Sequence, residues 1–435
     1  MAEPHSHDPH DVVVPESTRR LLILMMAPLL VAIVVGLVAL WPGELRTSGL
    51  TDAVAAEDLF RAEVDRVTRG PCEGTEASAG IECSIAEVTL QEGPDDGETI
   101  TLAEESVEGG ADLHIGDVIV LAYYPDAGEG FEYSFADRER RPPLLLLVAV
   151  FAVAVIALGR WKGARALAGV GVSLAILATF ILPALLDGSD PVLVALVGAG
   201  AIAVIALYLA HGVNVGSTIA LIGAFASLAL VALLAWGFVE LTELSGRAAE
   251  EAGFLQITAS QVRLQGLILA GVVIGTLGVL DDVTVLQVSA VWELHHANPE
   301  MPRRDIYRAA IRIGRDHIAS TVNTLVLAYA GASLPLFLLL TQAHQGLSDI
   351  ANSELVATEI VRTLVGSIGL VASVPITTLL ATWVVGEHQR GGTAAPDDPR
   401  RYRSRTERQL WEQAAAAPVV TPEPARPPAP PDRAL

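Results

Sequence analysis

The chain is poor in the residues that soluble enzymes most often use for chemistry. Only two of its 435 residues are cysteine, aromatic residues make up 5% and charged residues 18%. Cys72 and Cys83 have neither a C-x-x-C spacing nor a nearby histidine pair, so a redox centre and a Cys/His metal set are both disfavoured. No G-x-S-x-G elbow, phosphate-binding G-x-x-x-x-G-K-[S/T] loop or H-E-x-x-H helix occurs, which argues against a serine hydrolase, a nucleotide-driven motor and a zinc protease. Basic residues are scarce too: 28 Lys and Arg stand against 50 Asp and Glu, a net charge of −22, which argues against a nucleic-acid partner. The expectation is a protein that is not an enzyme and holds no cofactor or metal.

What the chain has in excess is apolar sequence, 51% of all residues. A helix rising 1.5 Å per residue needs about 20 apolar residues to cross the hydrocarbon core. Eight runs meet that need: 21–40, 143–159, 166–186, 191–210, 217–239, 264–290, 320–340 and 361–385. The expected fold is an all-α polytopic membrane bundle of about eight helices, with one small β-rich domain between the first two. The first run is too long for a signal-peptide core and Trp41-Pro42-Gly43 offers no cleavage site, so it reads as a retained signal anchor.

Basic residues set the orientation. Arg19 and Arg20, then Arg160, Lys162 and Arg165, then Arg303, Arg304, Arg308, Arg312 and Arg315, then Arg400, Arg401, Arg403, Arg405 and Arg408 all fall on one side of eight spans. The positive-inside rule makes that side the cytoplasm, with both termini in it and the protein in the cytoplasmic (plasma) membrane. Arg138, Arg140 and Arg141 fall on the other side, beside Asp137 and Glu139. The tails, 1–20 and 386–435, read as disordered: His5, His7 and His10 with Asp8 lie in a polar stretch, and only 406–417 hints at a short helix.

Residues 42–141 form the extracytoplasmic domain and carry 24 acidic against 7 basic residues, most of the chain's negative charge. Period-two alternation marks strands at 85–90, 98–102, 117–121 and 131–135, and the apolar positions in 51–69 suit a short helix. A small barrel or sandwich follows. Both cysteines lie here, on the oxidising side, so Cys72 and Cys83 are expected to form a disulfide.

Within the remaining seven-helix membrane domain, 143–385, the sixth run holds the most informative pair, Asp281 and Asp282. An ionisable residue at the centre of a membrane helix costs roughly 2.5–3.5 kcal/mol and is by default a candidate for handling protons, ions or a polar substrate. The alternative is that the apolar run ends near Leu280 and the pair meets cytoplasmic headgroups. Two adjacent carboxylates do not both ionise cheaply at low dielectric, the condition for a reversible proton carrier. Gly271, Gly275 and Gly278 form a seam along which another helix backbone can approach. Further on, 301–315 reads as an amphipathic helix on the inner membrane face, and His295 and His296 as interfacial residues. The seventh run carries Thr321, Asn323 and Thr324, which serve either as helix-to-helix hydrogen bonds or as relay partners facing the aspartates. Pro335 and Pro375 are expected to kink the last two helices.

The run Gly278-Val279-Leu280-Asp281-Asp282-Val283-Thr284-Val285-Leu286-Gln287 and the run from Arg312-Ile313-Gly314-Arg315-Asp316-His317 through Asn323-Thr324 resemble the YibE/F-like family of bacterial membrane proteins, in its actinobacterial form. Gly159-Arg160-Trp161-Lys162-Gly163, His211-Gly212-Val213-Asn214 and Pro375-Ile376-Thr377-Thr378 extend the likeness. It implies an architecture and no defined reaction. A more distant likeness joins the Asp-bearing helix and the Arg315 to Thr324 segment to resistance-nodulation-division and SecD/SecF transporters. That likeness implies a proton-binding pair at Asp281 and Asp282 with Thr321, Asn323 or Thr324 opposite. Together these point to an ion-coupled transporter or export-assisting permease that contacts membrane lipids, forms a homo-oligomer or not, and moves an unidentified substrate. The competing reading is a non-transporting envelope scaffold whose external domain binds another envelope protein.

Overall fold

The computed structural model describes residues 16–43, 58–71, 82–104, 113–125, 132–248, 250–342 and 346–391. Cys72, the N-terminal histidines and the 406–417 segment lie outside the described residues. So do most of both tails.

A helix, α1 (Glu16–Ala39), leads into a five-stranded antiparallel sheet: β1 (Asp58–Pro71), β2 (Glu82–Leu90), β3 (Thr99–Glu104), β4 (Val118–Tyr123) and β5 (Tyr133–Arg138), in the order β3-β2-β1-β4-β5. Four of these strands stand where alternation put them. The fifth corrects an expectation: a strand, and the central one, occupies most of the stretch read as a short helix. The register of β1 against β2 shifts between Val64 and Arg66, so the inward positions run Ala62, Val64 and then Val67. A bulge of this kind breaks strict alternation and leaves apolar spacings that a helix also satisfies. Ala62, Val64, Val88, Ile119 and Leu121 fill the sheet's core, and each of the larger ones contributes about 1.5–3 kcal/mol by burial. The outer strands β3 and β5 approach each other, and Tyr133 Oη donates to Asp95 Oδ2 at 2.7 Å across the gap, which curls the sheet toward a barrel. Burial, then that hydrogen bond to a carboxylate, pushes the Tyr133 hydroxyl's pKa up.

The rest is helical: α2 (Arg141–Ile176), α3 (Pro191–His211), α4 (Val215–Leu241), α5 (Glu250–Thr258), α6 (Leu264–Ala297), α7 (Arg303–Ala332), α8 (Leu334–Gln342), α9 (Leu347–Asn352) and α10 (Glu354–Gly391). Helix α2 continues through a π-helical turn, Leu177–Ile181, into a last α turn, Leu182–Leu186. Among the described residues six helices are long and apolar enough to cross a membrane: Glu16–Ala39, Arg141–Leu186, Pro191–His211, Val215–Leu241, Leu264–Ala297 and Glu354–Val385.

The 46-residue helix Arg141–Leu186 is two arms. At Arg160 the backbone takes φ 51, ψ −129 and the chain turns back, so that a Cβ on Gly163 would run into the Val155 carbonyl oxygen. Residues eight apart in an unbroken helix are about 12 Å apart along the axis. The reversal falls in the Arg160–Lys162–Arg165 segment expected between two spans. The first arm is exposed along nearly its whole length, with Leu144 to Val148 all more than half accessible.

Local chemistry fixes the turns that follow. Asp190 Oδ1 accepts from the N–H groups of Val192 and Leu193 at 3.0 and 3.1 Å, capping α3, and Pro191 occupies the first turn where its missing N–H costs nothing. Gly212 at φ 83 ends α3, and Asn214 then caps α4 by accepting from Ser217 N at 2.8 Å.

Helix α6 lies at the centre, packed against α3, α4, α7 and α10. Lipid is as apolar as leucine, so close packing rather than hydrophobic transfer holds such helices together. The closest approaches are at Gly223, where a Cβ would meet Thr377, and at Gly369, where it would meet Val231. The region expected to be an inner-face amphipathic helix followed by a separate seventh span is organised differently. Arg303 to Ala332 form one continuous helix with Ile306, Ala310 and Gly314 buried, and the break comes at Ser333, just before Leu334-Pro335. Pro335 therefore begins a new helix instead of kinking one. Its polar residues, from the arginines of the first half to Asp316, His317 and Asn323, keep α7 out of the long apolar set.

Candidate functional site

Asp281 and Asp282 fall at the middle of α6, about 26 Å along the axis from Leu264. They face different surroundings. Asp281 is half-buried, its Oδ1 is out of solvent reach, and no described group hydrogen-bonds to it. Asp282 is 73% exposed and its Oδ2 lies 4.0 Å from Nε2 of His317 on α7. That separation is too long for a hydrogen bond and short enough for Coulomb attraction once the imidazole is charged. His317 Nε2 is itself buried without a hydrogen-bond partner.

A polar line continues down α6 from Asp281. Thr284 Oγ1 donates to the Asp281 carbonyl at 3.1 Å, and one turn on, Gln287 is fully buried. Thr378 Oγ1 of α10 donates to Gln287 Oε1 at 2.9 Å, while Gln287 Nε2 has no described acceptor. Gly314 of α7 makes room for that amide: a Cβ there would sit 2.6 Å from Gln287 Nε2 and 2.6 Å from Val374 Cγ1. Helices α6 and α7 thus bring a carboxylate oxygen, an amide nitrogen and an imidazole nitrogen into the seam, each without a hydrogen-bond partner among the described residues. The carboxylate can accept a proton and an imidazole can relay one, while the amide N–H offers only a hydrogen bond.

The residues expected opposite the aspartates are placed otherwise. Thr321 Oγ1 donates to the His317 carbonyl at 3.0 Å and Thr324 Oγ1 to the Ser320 carbonyl at 3.1 Å, so both hydroxyls are spent on their own helix. Asn323 and Thr324 are exposed, and among the described residues none of the three reaches a carboxylate. The glycine seam also differs from expectation. Gly275 receives the Tyr329 hydroxyl, 2.8 Å from where its Cβ would be, and Gly271 faces the Arg362 guanidinium. Side chains, not a helix backbone, fill those positions, and Gly278 opens onto free space. His295 is buried, whereas His296 is exposed.

His317, Gln287 and Thr378 were not singled out from sequence as site residues. Their signal was there: Asp281, Thr284 and Gln287 recur every third residue in an otherwise apolar helix, which puts them on one face. A second charged pair was missed as well. Arg362 Nη1 donates to Glu359 Oε1 at 2.6 Å within α10, both side chains being less than a third exposed.

The family model of YibE/F-like proteins matches residues 147–387, more than half of the chain. The chain belongs to the YibE/F-like family. The match covers α2 to α10 and leaves out α1 and the sheet, so the YibE/F-like core is the helical portion that holds the seam. The family's resembling motifs acquire structural roles here: Gly159 to Gly163 make the reversal in α2, His211 to Asn214 the α3–α4 turn, and Thr377 and Thr378 the contacts of α10 with α4 and α6. No curated protein and no solved structure matches the chain significantly. Among the described residues no group of three or more His, Cys, Asp or Glu is arranged to hold a metal ion.

Proposed function

We propose that this YibE/F-like membrane protein is a proton-coupled secondary transporter or export-assisting permease. Proton exchange at Asp281, in concert with Asp282 and His317, biases α6 and α7 between two packings. The observation that carries the reading is the Asp281 carboxylate oxygen, enclosed without a partner at mid-helix beside the Asp282–His317 pair. Ionisable groups are kept in such places where they serve an ion path. A ligand or proton shifts a two-state equilibrium only by its differential affinity for the states, and gain or loss of charge at an enclosed site supplies one.

The topology that goes with this reading has eight spans, counting the two arms of α2 separately and counting α7 with α8 as one crossing. Both termini are then cytoplasmic and the sheet is extracytoplasmic, where Cys72 and Cys83 form a disulfide. The test is reconstitution of the full chain in liposomes under a pH gradient. Proton flux is expected for the wild type and is expected to vanish in Asp281→Asn and in His317→Phe. Flux unchanged in both variants, or wild-type cell phenotype with both aspartates neutralised, overturns the transport reading and favours the envelope scaffold.

A further inference from the structure

Three of the long apolar helices end at one corner of the bundle: α3 starts at Pro191, α4 stops at Leu241 and α6 starts at Leu264. The ends of apolar spans stand where hydrocarbon gives way to lipid phosphates, so a site between them meets headgroups. A cavity of about 240 Å³ lies there, walled by Asp190 of the α3 cap, by Trp236 and Glu240 of α4 and by Arg263 at the head of α6. Sites that enclose a whole small molecule run from roughly 300 to 1,000 Å³. This one suits the polar head of a larger molecule.

The charges in the cavity define that head. Asp190 is fully used: Oδ1 caps α3 and Oδ2 accepts from Arg263 Nη2 at 2.5 Å. Arg263 is more exposed than buried, and a guanidinium has five N–H donors, so most of its fork stays open to a ligand. Glu240 is exposed as well, and among the described residues nothing pairs with its carboxylate. An anion alone would gain the guanidinium and be repelled by two carboxylates, whereas a cation alone would leave the fork unused. A phosphate ester carrying a primary ammonium satisfies both, because the phosphate accepts from Arg263 and the ammonium N–H donates to Glu240. A quaternary ammonium has the charge without the N–H.

The wall of the cavity continues as an apolar track. Leu233, Trp236 and Glu240, spaced by three and four residues, share one face of α4, and the first two are more than half exposed. Leu233 lies about 10 Å along the axis from Glu240, within the depth of one leaflet, about 15 Å. A soluble zwitterion has no use for that track; a lipid chain does.

We propose that this corner binds a zwitterionic phospholipid with a primary-amine head, its phosphate on Arg263, its ammonium on Glu240 and an acyl chain along Trp236 and Leu233. The site shares no residue with the Asp281 seam and does not depend on the proton-coupled reading.

The experiment uses the full chain in phosphatidylcholine liposomes, titrated with phospholipids whose brominated chains quench tryptophan on contact. The difference between wild type and Trp236→Phe isolates the Trp236 emission from that of the chain's other tryptophans. Brominated phosphatidylethanolamine is expected to associate about fivefold better than brominated phosphatidylcholine or phosphatidylglycerol with the same chains, the scale of an exposed ion pair. Glu240→Gln is expected to erase the preference for ethanolamine over choline and to raise association of the glycerol lipid. Arg263→Gln is expected to weaken all three alike, since each carries a phosphate. Equal quenching by the three heads in wild type means that Trp236 meets bulk lipid and overturns the proposal, as does an ethanolamine preference that survives Glu240→Gln. Displacement of the brominated lipid by soluble phosphoethanolamine at matched concentration would assign the corner to a free zwitterion and overturn the lipid assignment. Asp281→Asn is expected to keep the ethanolamine preference whether or not it abolishes proton flux; loss of the preference there would overturn the site's independence.

Discussion

Replacing Thr378 with valine keeps the side chain's shape and removes the one hydroxyl that satisfies the Gln287 carbonyl. The Gln287 amide is fully buried and its Nε2 already lacks an acceptor, so the substitution strands the whole group. Stranding a buried polar partner costs about 1–3 kcal/mol in general. Interhelical hydrogen bonds within membranes average only about 0.6 and reach about 1.7 kcal/mol, because a helix separated from its neighbours finds other partners in the unfolded state. Among the described residues Gln287 has no second partner to fall back on, so Thr378→Val should fall toward the upper figure, about 1.5 kcal/mol. Gln287→Leu removes the other end and leaves an apolar pair when combined with Thr378→Val. The double variant should therefore lose about 1 kcal/mol less than the sum of the singles. Reversible unfolding of the purified protein in mixed micelles, titrated with a denaturing detergent, measures all four corners of the cycle. If Thr378→Val stays within about 0.3 kcal/mol of wild type, or the two changes simply add, α6 and α10 are held by shape alone and the polar seam has no energetic reality.

In the same assay Asp281→Asn should stabilise the protein by about 2 kcal/mol, since it relieves an enclosed charge, while Asp282→Asn at its exposed position should stay within about 0.5 kcal/mol; a destabilised Asp281→Asn would show the carboxylate to be held by attraction. Gly163→Ala should cost about 1–3 kcal/mol because the added carbon meets backbone across the α2 reversal, whereas Gly171→Ala, where nothing lies within 4 Å, should be neutral or slightly favourable. The raised pKa of Tyr133 makes its contribution to the sheet complete below the unfolded value of about 10 and lost as pH climbs through the folded value. Absorbance at the phenolate band should show a late-ionising component that shrinks by one tyrosine in Tyr133→Phe. Glu92 goes the other way: the Arg61 hydrogen bond holds its pKa down, so its contribution is present above about pH 4.3 and lost in acid. Hydrogen exchange of sheet peptides in the full chain should show Glu92→Gln flattening that acid limb.

The long apolar helices were legible because their signal is one of bulk. From 191 to 210 and from 217 to 239 the runs end where the caps Asp190 and Asn214 and the φ 83 glycine put the real ends, within two residues. The reversal at Arg160 was legible as charge, since a basic cluster cannot be left in hydrocarbon. Strand β1 was not legible, because its bulge replaces the alternation by spacings shared with a helix. Nor was the continuity of α7. Its charged first half and apolar second half look like two objects until Ile306, Ala310 and Gly314 are seen to share one buried face. For the site, the aspartates were visible as an anomaly of composition, but their partners depended on how α7 sits along α6. His317 and Thr324 are seven residues apart and share a face of α7, so the level at which the two helices meet decides which of them lies beside the aspartates, and nothing in a list of polar residues fixes that level. The boundary drawn at 361 split the Arg362–Glu359 pair, leaving Glu359 outside the apolar run and Arg362 just inside its edge.

The exposed first arm of α2 has a consequence for how this protein varies over generations. From Leu144 to Val153 nearly every large side chain is more than half exposed. What selection can test there is whether each residue is apolar, not which apolar residue it is. That arm is free to exchange leucine, valine, isoleucine and phenylalanine at little cost, while ten residues later any side chain on Gly163 meets backbone across the reversal. Two helices joined by a single turn should then drift at very different rates, and a comparison of related chains would see the first arm as a composition and the second as a spelling.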